Sequence, residues 1–171
     1  MPDYDMDYYK QFEGKSLGSK AYRIRGRKMS AYAKAINDTR SDYYLPRKKG
    51  EDKPDYSKIV AHPAYAATYT IPGILEALPD VKDDQGEKLV TNIYKLLHTA
   101  QEYDYEGCTP LTDAVSKVYT KGVIRKVWIK KDMLWVEIGM TTTNKEESET
   151  YCKTTLMGLL RQGGFKEVVK E

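Results

Sequence analysis

The residues that could carry proton-transfer chemistry stand in two short stretches of this 171-residue chain. The first, residues 32–44, begins as an alanine-rich helix behind Ser30 and continues into a polar turn that contains Asp38. The second, residues 59–68, carries His62 and leads into an apolar helix. A carboxylate and an imidazole suit acid–base chemistry, because one group can take a proton while the other gives one.

Each of these residues also has a plain structural interpretation. Asp38 follows a predicted helix, where aspartate is more often a turn residue than a catalyst. His62 stands before a proline at a helix start and could simply cap or pack there. His98 lies in an alternating stretch, where we expect a structural role. Arg40 and Asp42 could form a surface pair that contributes little stability.

The elements that must position these residues change in type along the chain. Residues 30–37 have the spacing of a first helix, and residues 64–78, apolar nearly all round, predict a buried second helix that Pro72 should kink or divide. From Thr91 onward the pattern alternates, which predicts an antiparallel meander. Strands are predicted at residues 20–25, 92–105, 112–130, 133–143 and 148–160. This order favours an α+β fold, in which a curved antiparallel sheet wraps a long central helix.

The bulk composition bounds the class of protein. One domain covering residues 1–171 is the simplest division, and a net charge of +3 is too balanced to indicate nucleic-acid binding. Cys108 and Cys152 form no CxxC pair, which favours a reduced, cytoplasmic setting without a metal site. No apolar run reaches the length of a membrane span. Fifteen tyrosines against two phenylalanines suit half-buried surfaces and pocket walls.

Two motifs together carry a family resemblance. Residues 32–39 (YAKAINDT) followed by residues 59–63 (IVAHP) resemble the MaoC-like hydratases and dehydratases, and most of all the N-terminal halves of those proteins. Residues 97–105, followed by residues 110–113, are similar to the family's strand-and-turn segment after the central helix. The resemblance implies a hotdog fold and an acyl thioester of coenzyme A or acyl carrier protein as substrate, with no other cofactor. It also implies that two hotdogs pair, because the family's acyl tunnel runs along a dimer interface.

The resemblance also implies a site with three parts. In the family, an aspartate and a histidine five residues later activate water for addition to an enoyl thioester, or remove water from a 3-hydroxyacyl thioester. A backbone N–H after a second histidine holds the thioester oxygen as enolate charge develops. Asp38 occupies the aspartate position, but Tyr43 stands where the histidine is expected. Pro63, which has no N–H, replaces the glycine after His62, and Ala64 offers an N–H only at a shifted place.

Two interpretations follow from these departures. In the favoured one, the chain is the non-catalytic member of a hydratase pair, shaping the acyl and coenzyme A pocket while a second MaoC-like hotdog subunit supplies the catalytic groups. In the other, His62, His98 or Tyr43 serves a different arrangement. The partner is such a subunit or a second copy of the chain. The expected substrate-binding residues are Ala61, Pro63, Ala64, Tyr65, Arg47 and Lys48.

Two further functions remain as alternatives. The chain could be a stand-alone acyl-CoA-binding hotdog or a thioesterase, since related thioesterases use a carboxylate or an amide on the central helix. Glu76 is the only acid within residues 64–78 and stands near their end, which counts against a thioesterase. A basic-surface binding protein has only the clusters at residues 23–28 and 47–49 in its favour.

Overall fold

The computed structural model describes residues 2–46, 50, 52 and 54–170, and its strands form one antiparallel sheet. The strand order is β1-β3-β4-β5-β2, so β1 and β2 are the two edges. The helices are α1 (Met6–Lys10), α2 (Gly26–Ala35) and α3 (Ala67–Ala77), and the strands are β1 (Ser16–Arg23), β2 (Leu96–Asp104), β3 (Lys117–Lys130), β4 (Met133–Thr143) and β5 (Thr150–Leu160). Helix α3 packs against this sheet. The architecture is the predicted α+β hotdog fold.

Strand β4 shows how alternation builds the core. Leu134, Val136 and Ile138 face inward and are almost fully buried, in one cluster with Ile74 and Leu78 from the central helical segment. Burying a side chain of this size contributes about 1.5–3 kcal/mol. The alternating pattern therefore fixes which face of the sheet receives α3.

Helix α2 begins four residues earlier than the sequence indicates. Gly26 starts the helix, and its N–H donates to Asp113 Oδ1 at 2.5 Å, a partner too distant in sequence to be foreseen. The expected cap, Ser30, is buried inside the helix. Its hydroxyl donates to the Leu45 carbonyl at 3.1 Å and accepts the Leu45 N–H at 3.0 Å. Ser30 therefore ties the helix to the following loop.

The central helical segment is assembled from three pieces. A 3₁₀ turn over Pro63–Ala66 leads into α3, and a second 3₁₀ turn over Leu78–Asp80 follows. Of the two effects expected of Pro72, a kink or a division, the division does not occur, because α3 is continuous from Ala67 to Ala77. Proline removes only one N–H from the ladder, and packing against the sheet compensates for that loss.

Strands β3 and β4 are joined by the predicted two-residue turn. Lys131 and Asp132 both have left-handed backbone angles, with φ of 52° and 56°, as a tight hairpin with the natural strand twist requires. On the other side of β3, the register of β1 shifts between Ser16 and Ser19, opposite Gly122. The sequence predicts a bulge at Gly122, and the irregularity lies on the strand facing it.

The two ends of the described chain lie side by side. Tyr4 bridges Val169, the Asp5 N–H donates to the Val168 carbonyl at 2.9 Å, and the Lys170 N–H donates to the Asp3 carbonyl at 2.8 Å. Within the described residues, no helix combines the length and the apolar character needed to cross a membrane.

Candidate functional site

The end of helix α2 sets the position of Asp38. Asn37 takes a left-handed conformation with φ of 62°, its N–H donates to the Lys34 carbonyl, and the Asp38 N–H donates to the Ala33 carbonyl at 2.9 Å. This pair of bonds is a Schellman motif, in which asparagine replaces the usual glycine. The motif turns the chain sharply, so Asp38 is held by the backbone at the end of the helix.

Arg40 clamps the Asp38 carboxylate with two hydrogen bonds. Its Nε donates to Oδ1 at 2.8 Å and an Nη donates to Oδ2 at 2.5 Å. These charge-assisted bonds lower the pKa of Asp38 to about 2, so the group is a weak base. The expected surface pair between Arg40 and Asp42 was wrong, because the ion pair of Arg40 is with Asp38.

His62 joins the second stretch to the first. Its Nε2 lies 3.3 Å from Asp38 Oδ2, and its Nδ1 accepts the Ala64 N–H at 3.0 Å. Since Nδ1 is an acceptor, the proton of the neutral ring is on Nε2, the nitrogen nearer Asp38. Nδ1 and the Ala64 N–H are therefore bonded to each other, and Nε2 lies in contact with the carboxylate.

Tyr43 completes this group, which we call the Asp38 cluster: Asp38, Arg40, Tyr43 and His62. The Tyr43 ring meets the His62 ring edge to face, with centroids 5.0 Å apart. The Arg40 guanidinium lies 4.9 Å from the Tyr43 ring centroid, a cation–π contact. The structure thus brings together all three candidate catalytic residues, and it adds an arginine that the sequence analysis had assigned to another pair.

A first cavity of about 270 Å³ opens beside the cluster. Tyr43, His62, Ala61 and Pro63 line it, as do four residues from elsewhere, Tyr69, Tyr105, Cys108 and Tyr151. The Tyr105 hydroxyl donates to the Pro63 carbonyl, and burial raises the pKa of Tyr105. Pro63 therefore contributes its ring and a carbonyl to this wall, and no donor.

A second cavity of about 560 Å³ lies on the other side of the central helical segment. Tyr22, Tyr32, Tyr65 and Tyr69 line it together with the basic residues Arg23 and Lys28. Tyr65 belongs to this cavity alone, whereas Tyr69 lines both. Tyr69 is thus a common wall between the two cavities, and the tyrosine-rich composition does correspond to pocket walls.

Several candidate residues lie outside both cavities. His98 is exposed on edge strand β2, opposite Gly158, and lines neither cavity. Glu76 is exposed and pairs with Lys20 at 3.2 Å, so its carboxylate is turned to the surface. The candidates Arg47 and Lys48 fall outside the described residues.

Ala64 is also absent from the lining of both cavities. Its N–H is held by His62, and its carbonyl accepts the Tyr32 hydroxyl at 2.9 Å. The Ala64 backbone therefore links α2 to the central helical segment. Across the part of the chain that the structure describes, no three His, Cys, Asp or Glu side chains cluster as metal ligands would.

Sequence reasoning missed four contributors to the site. Only one residue separates Arg40 from Asp38, so the sequence shows that the two are near each other. It does not show that they form an ion pair. Tyr69, Tyr105 and Cys108 reach the cavity from α3 and from the segment after β2. Only the overall excess of tyrosine signalled Tyr69 and Tyr105, and nothing signalled Cys108.

No protein-family model matches the sequence, and no curated protein is found as a relative. Solved structures do match. The HadBC (3R)-hydroxyacyl-ACP dehydratase complex of Mycobacterium tuberculosis gives a TM-score of 0.63 at 12% identity, covering 86% of this chain and 96% of that one. A MaoC-like dehydratase from Rhodospirillum rubrum gives 0.59 at 14% identity, covering 87% and 92%.

A third match points the same way. The ChsH1–ChsH2 complex of Mycobacterium tuberculosis gives a TM-score of 0.57 at 9% identity, covering 87% of this chain and 98% of that one. Likeness at these identities shows a shared fold and carries no activity with it. These three matches cover most of both chains.

Proposed function

We propose that this chain is the non-catalytic subunit of a two-hotdog hydratase or dehydratase that acts on acyl thioesters. In this assembly, the partner hotdog supplies the aspartate and histidine that activate water. This chain supplies part of the acyl and carrier pocket. Two of the structural matches are complexes with two named components, which is consistent with such a pairing.

The observation that carries the proposal is that Arg40 holds the Asp38 carboxylate and the Ala64 N–H holds His62 Nδ1. A general base needs a free lone pair and a pKa near the working pH. Asp38 has a pKa of about 2 under its Arg40 clamp. His62 Nδ1 already accepts the Ala64 N–H, and Nε2 lies 3.3 Å from Asp38 Oδ2. Asp38, His62 and the Ala64 N–H thus join the end of α2 to the central helical segment.

Strand β2 is the edge along which we expect the partner to pair. Two of the large apolar side chains that remain exposed lie on it or directly after it: Leu97 and Tyr105. An exposed strand edge presents unpaired backbone groups that another strand can satisfy. Tyr105 also lines the first cavity, so a partner on this edge would reach the site.

The activity test compares the chain alone with the chain plus its partner. Alone, it should hydrate crotonyl-CoA no faster than the buffer background, whereas an assembly with a second hotdog carrying an intact Asp and His should turn over. Hydration by the isolated chain at a rate typical of the family would overturn the proposal. Free Cys108 and Cys152 are consistent with a reduced, cytoplasmic setting, which we include in the proposal.

The pairing test places charge on the proposed edge. Leu97→Lys with Ala100→Lys on β2 should shift the assembly to a smaller species in analytical ultracentrifugation, because lysines on an edge oppose strand pairing. Ser19→Lys on the opposite edge strand, β1, is the control and should change nothing. If the chain forms a homodimer that captures no other hotdog, the heteromeric proposal fails and self-pairing stands.

A stand-alone acyl-thioester-binding protein is the second candidate, because the two cavities could hold an acyl chain without any catalysis. It predicts saturable binding of an acyl-CoA by the chain alone and no turnover with any partner. A thioesterase has less support, since Glu76 is turned to the surface and paired with Lys20.

A further inference from the structure

A third cavity, of about 480 Å³, lies at the opposite end of β2 from the Asp38 cluster. Three segments form it: the 3₁₀ turn before β2, the turn between β3 and β4, and the end of β5. Its lining includes Tyr94, Lys95, Lys131, Asp132 and Arg161. Three cationic side chains and one carboxylate give this concave surface a net positive charge. Its volume lies within the range of small-molecule sites.

One of the three cations of this cavity is fixed at the wall by a hydrogen bond, and the other two are available to a ligand. Lys95 Nζ donates to the Gln162 carbonyl at 2.6 Å, which fixes the ammonium at the wall. Lys131 stands on the tight β3–β4 turn. Among the described residues, neither Lys131 nor Arg161 has a carboxylate within 4.0 Å. Their charges are therefore available to a phosphate, which arginine and lysine both bind well.

An exposed aromatic ring stands at the same place. Tyr94 is 94% exposed, the most exposed of the large apolar or aromatic side chains that remain at the surface. Its backbone is fixed, because the Tyr94 N–H donates to Asn92 Oδ1 at 3.0 Å. A ring held in water beside available cations is a platform on which a purine can stack while the cations hold its phosphates.

We propose that this cavity binds the phosphate-bearing nucleotide arm of a thioester carrier, with Tyr94 stacking on the base and Lys131 and Arg161 holding phosphate. The role of the cavity in catalysis rests on the proposed function. If β2 of this chain pairs antiparallel with β2 of the partner, the start of each strand lies beside the end of the other. The two ends of the nine-residue strand β2 are about 26 Å apart. The cavity would then serve the site of the partner hotdog.

The binding test uses the isolated chain and adenosine 3′,5′-bisphosphate in isothermal titration calorimetry. The wild-type chain should bind saturably, and Lys131→Ala with Arg161→Ala should weaken binding about tenfold or more. Arg23→Ala with Lys28→Ala removes the same charge from the second cavity and should leave the affinity within twofold. Absence of saturable binding, or equal weakening by both double variants, overturns the proposal.

Two further arms identify the ligand. Tyr94→Ala should weaken the bisphosphate about tenfold and leave inorganic phosphate unaffected, because phosphate cannot stack. Equal affinity for inorganic phosphate and the bisphosphate would overturn the nucleotide assignment. So would binding of an acidic acyl carrier protein in place of the nucleotide. Because no partner subunit is present, these results do not depend on whether the chain is a hydratase subunit.

Discussion

His62 Nε2 and Asp38 Oδ2 lie 3.3 Å apart and join two stretches that are distant in sequence. The contact resembles a catalytic dyad, but its surroundings make it a structural link. Arg40 holds the carboxylate, and the Ala64 N–H holds the other ring nitrogen. The contact therefore positions the wall of the first cavity, and the clamped carboxylate is a weak base.

Removing Arg40 should restore the ordinary acidity of Asp38. In Arg40→Gln, we expect the pKa of the Asp38 carboxyl to rise from about 2 towards 3.8, as measured by NMR of the side-chain carbon. The pKa of Asp38 is depressed in the folded chain, so the stability it adds is fully present above pH 3.8 and is lost as the pH falls towards 2. Asp42→Asn should not move this pKa. An unchanged pKa in Arg40→Gln would contradict the clamp.

His62 should matter for stability more than for chemistry. His62→Ala removes the cap on the Ala64 N–H and should cost about 1 kcal/mol of the free energy of unfolding. His62→Asn keeps an oxygen that can accept this N–H, so it should recover most of the loss in urea unfolding.

The same two variants test the role of His62 in turnover. In an assembly with a catalytic partner, His62→Asn should keep kcat within about threefold of wild type. A loss of a hundredfold or more, the scale expected for a general base, would show that His62 takes part in the reaction.

Buried Asp83 should make folding sensitive to acid. Its carboxylate accepts the Tyr8 hydroxyl at 3.0 Å and the N–H groups of Gln85 and Glu87 at 3.0 and 2.7 Å. Burial by itself raises the pKa of Asp83, but these bonds outweigh it and lower the pKa below 3.8. The stability from Asp83 is therefore present above pH 3.8 and is lost below it.

Asp83→Asn places an amide NH₂ among these donors and should lower Tm most clearly at neutral pH. The difference from wild type should shrink as the pH falls below 3.8, where the wild-type carboxyl also loses its charge. Asp84→Asn, on an exposed neighbour that pairs with Lys15, is the matched control and should leave Tm nearly unchanged. Equal Tm changes in the two variants would contradict a special role for Asp83.

Gly73 and Tyr22 should be energetically coupled. A methyl group on Gly73 would lie 2.7 Å from the Tyr22 hydroxyl, which is buried and has no hydrogen-bond partner among the described residues. Gly73→Ala should therefore destabilise the chain. In a Tyr22→Phe background, the same change should stabilise it by about 0.5–1 kcal/mol, because alanine favours a helix over glycine.

The free energies of unfolding of the four chains form a double-mutant cycle. The expected coupling is about 1 kcal/mol or more. A coupling near zero would mean that the helix moves to admit the methyl group without touching Tyr22.

The sequence allowed the fold to be predicted because alternation and helical spacing are local. The gap between the predicted strands at residues 112–130 and 133–143 marked the turn at Lys131 and Asp132. The ends of helices were predicted less accurately where a residue distant in sequence determines them. Asp113 starts α2 at Gly26, and no local signal points to that contact.

The site was predicted in part for a related reason. Asp38, Tyr43 and His62 were candidates, and they do meet. Their chemical states depend on Arg40 and on the Ala64 N–H, which only the folded chain brings into contact with them. Residue types thus located the site, and hydrogen-bond partners decided what it can do.

The bridge between Tyr4 and Val169 holds the first and last described segments next to each other. A short linker could therefore close the two ends, and new ends could be opened at the Lys131–Asp132 turn without changing the order of strands in the sheet. Such a permuted chain would carry its new ends beside the third cavity. A fluorophore attached there would report on that cavity while the Asp38 cluster stayed untouched.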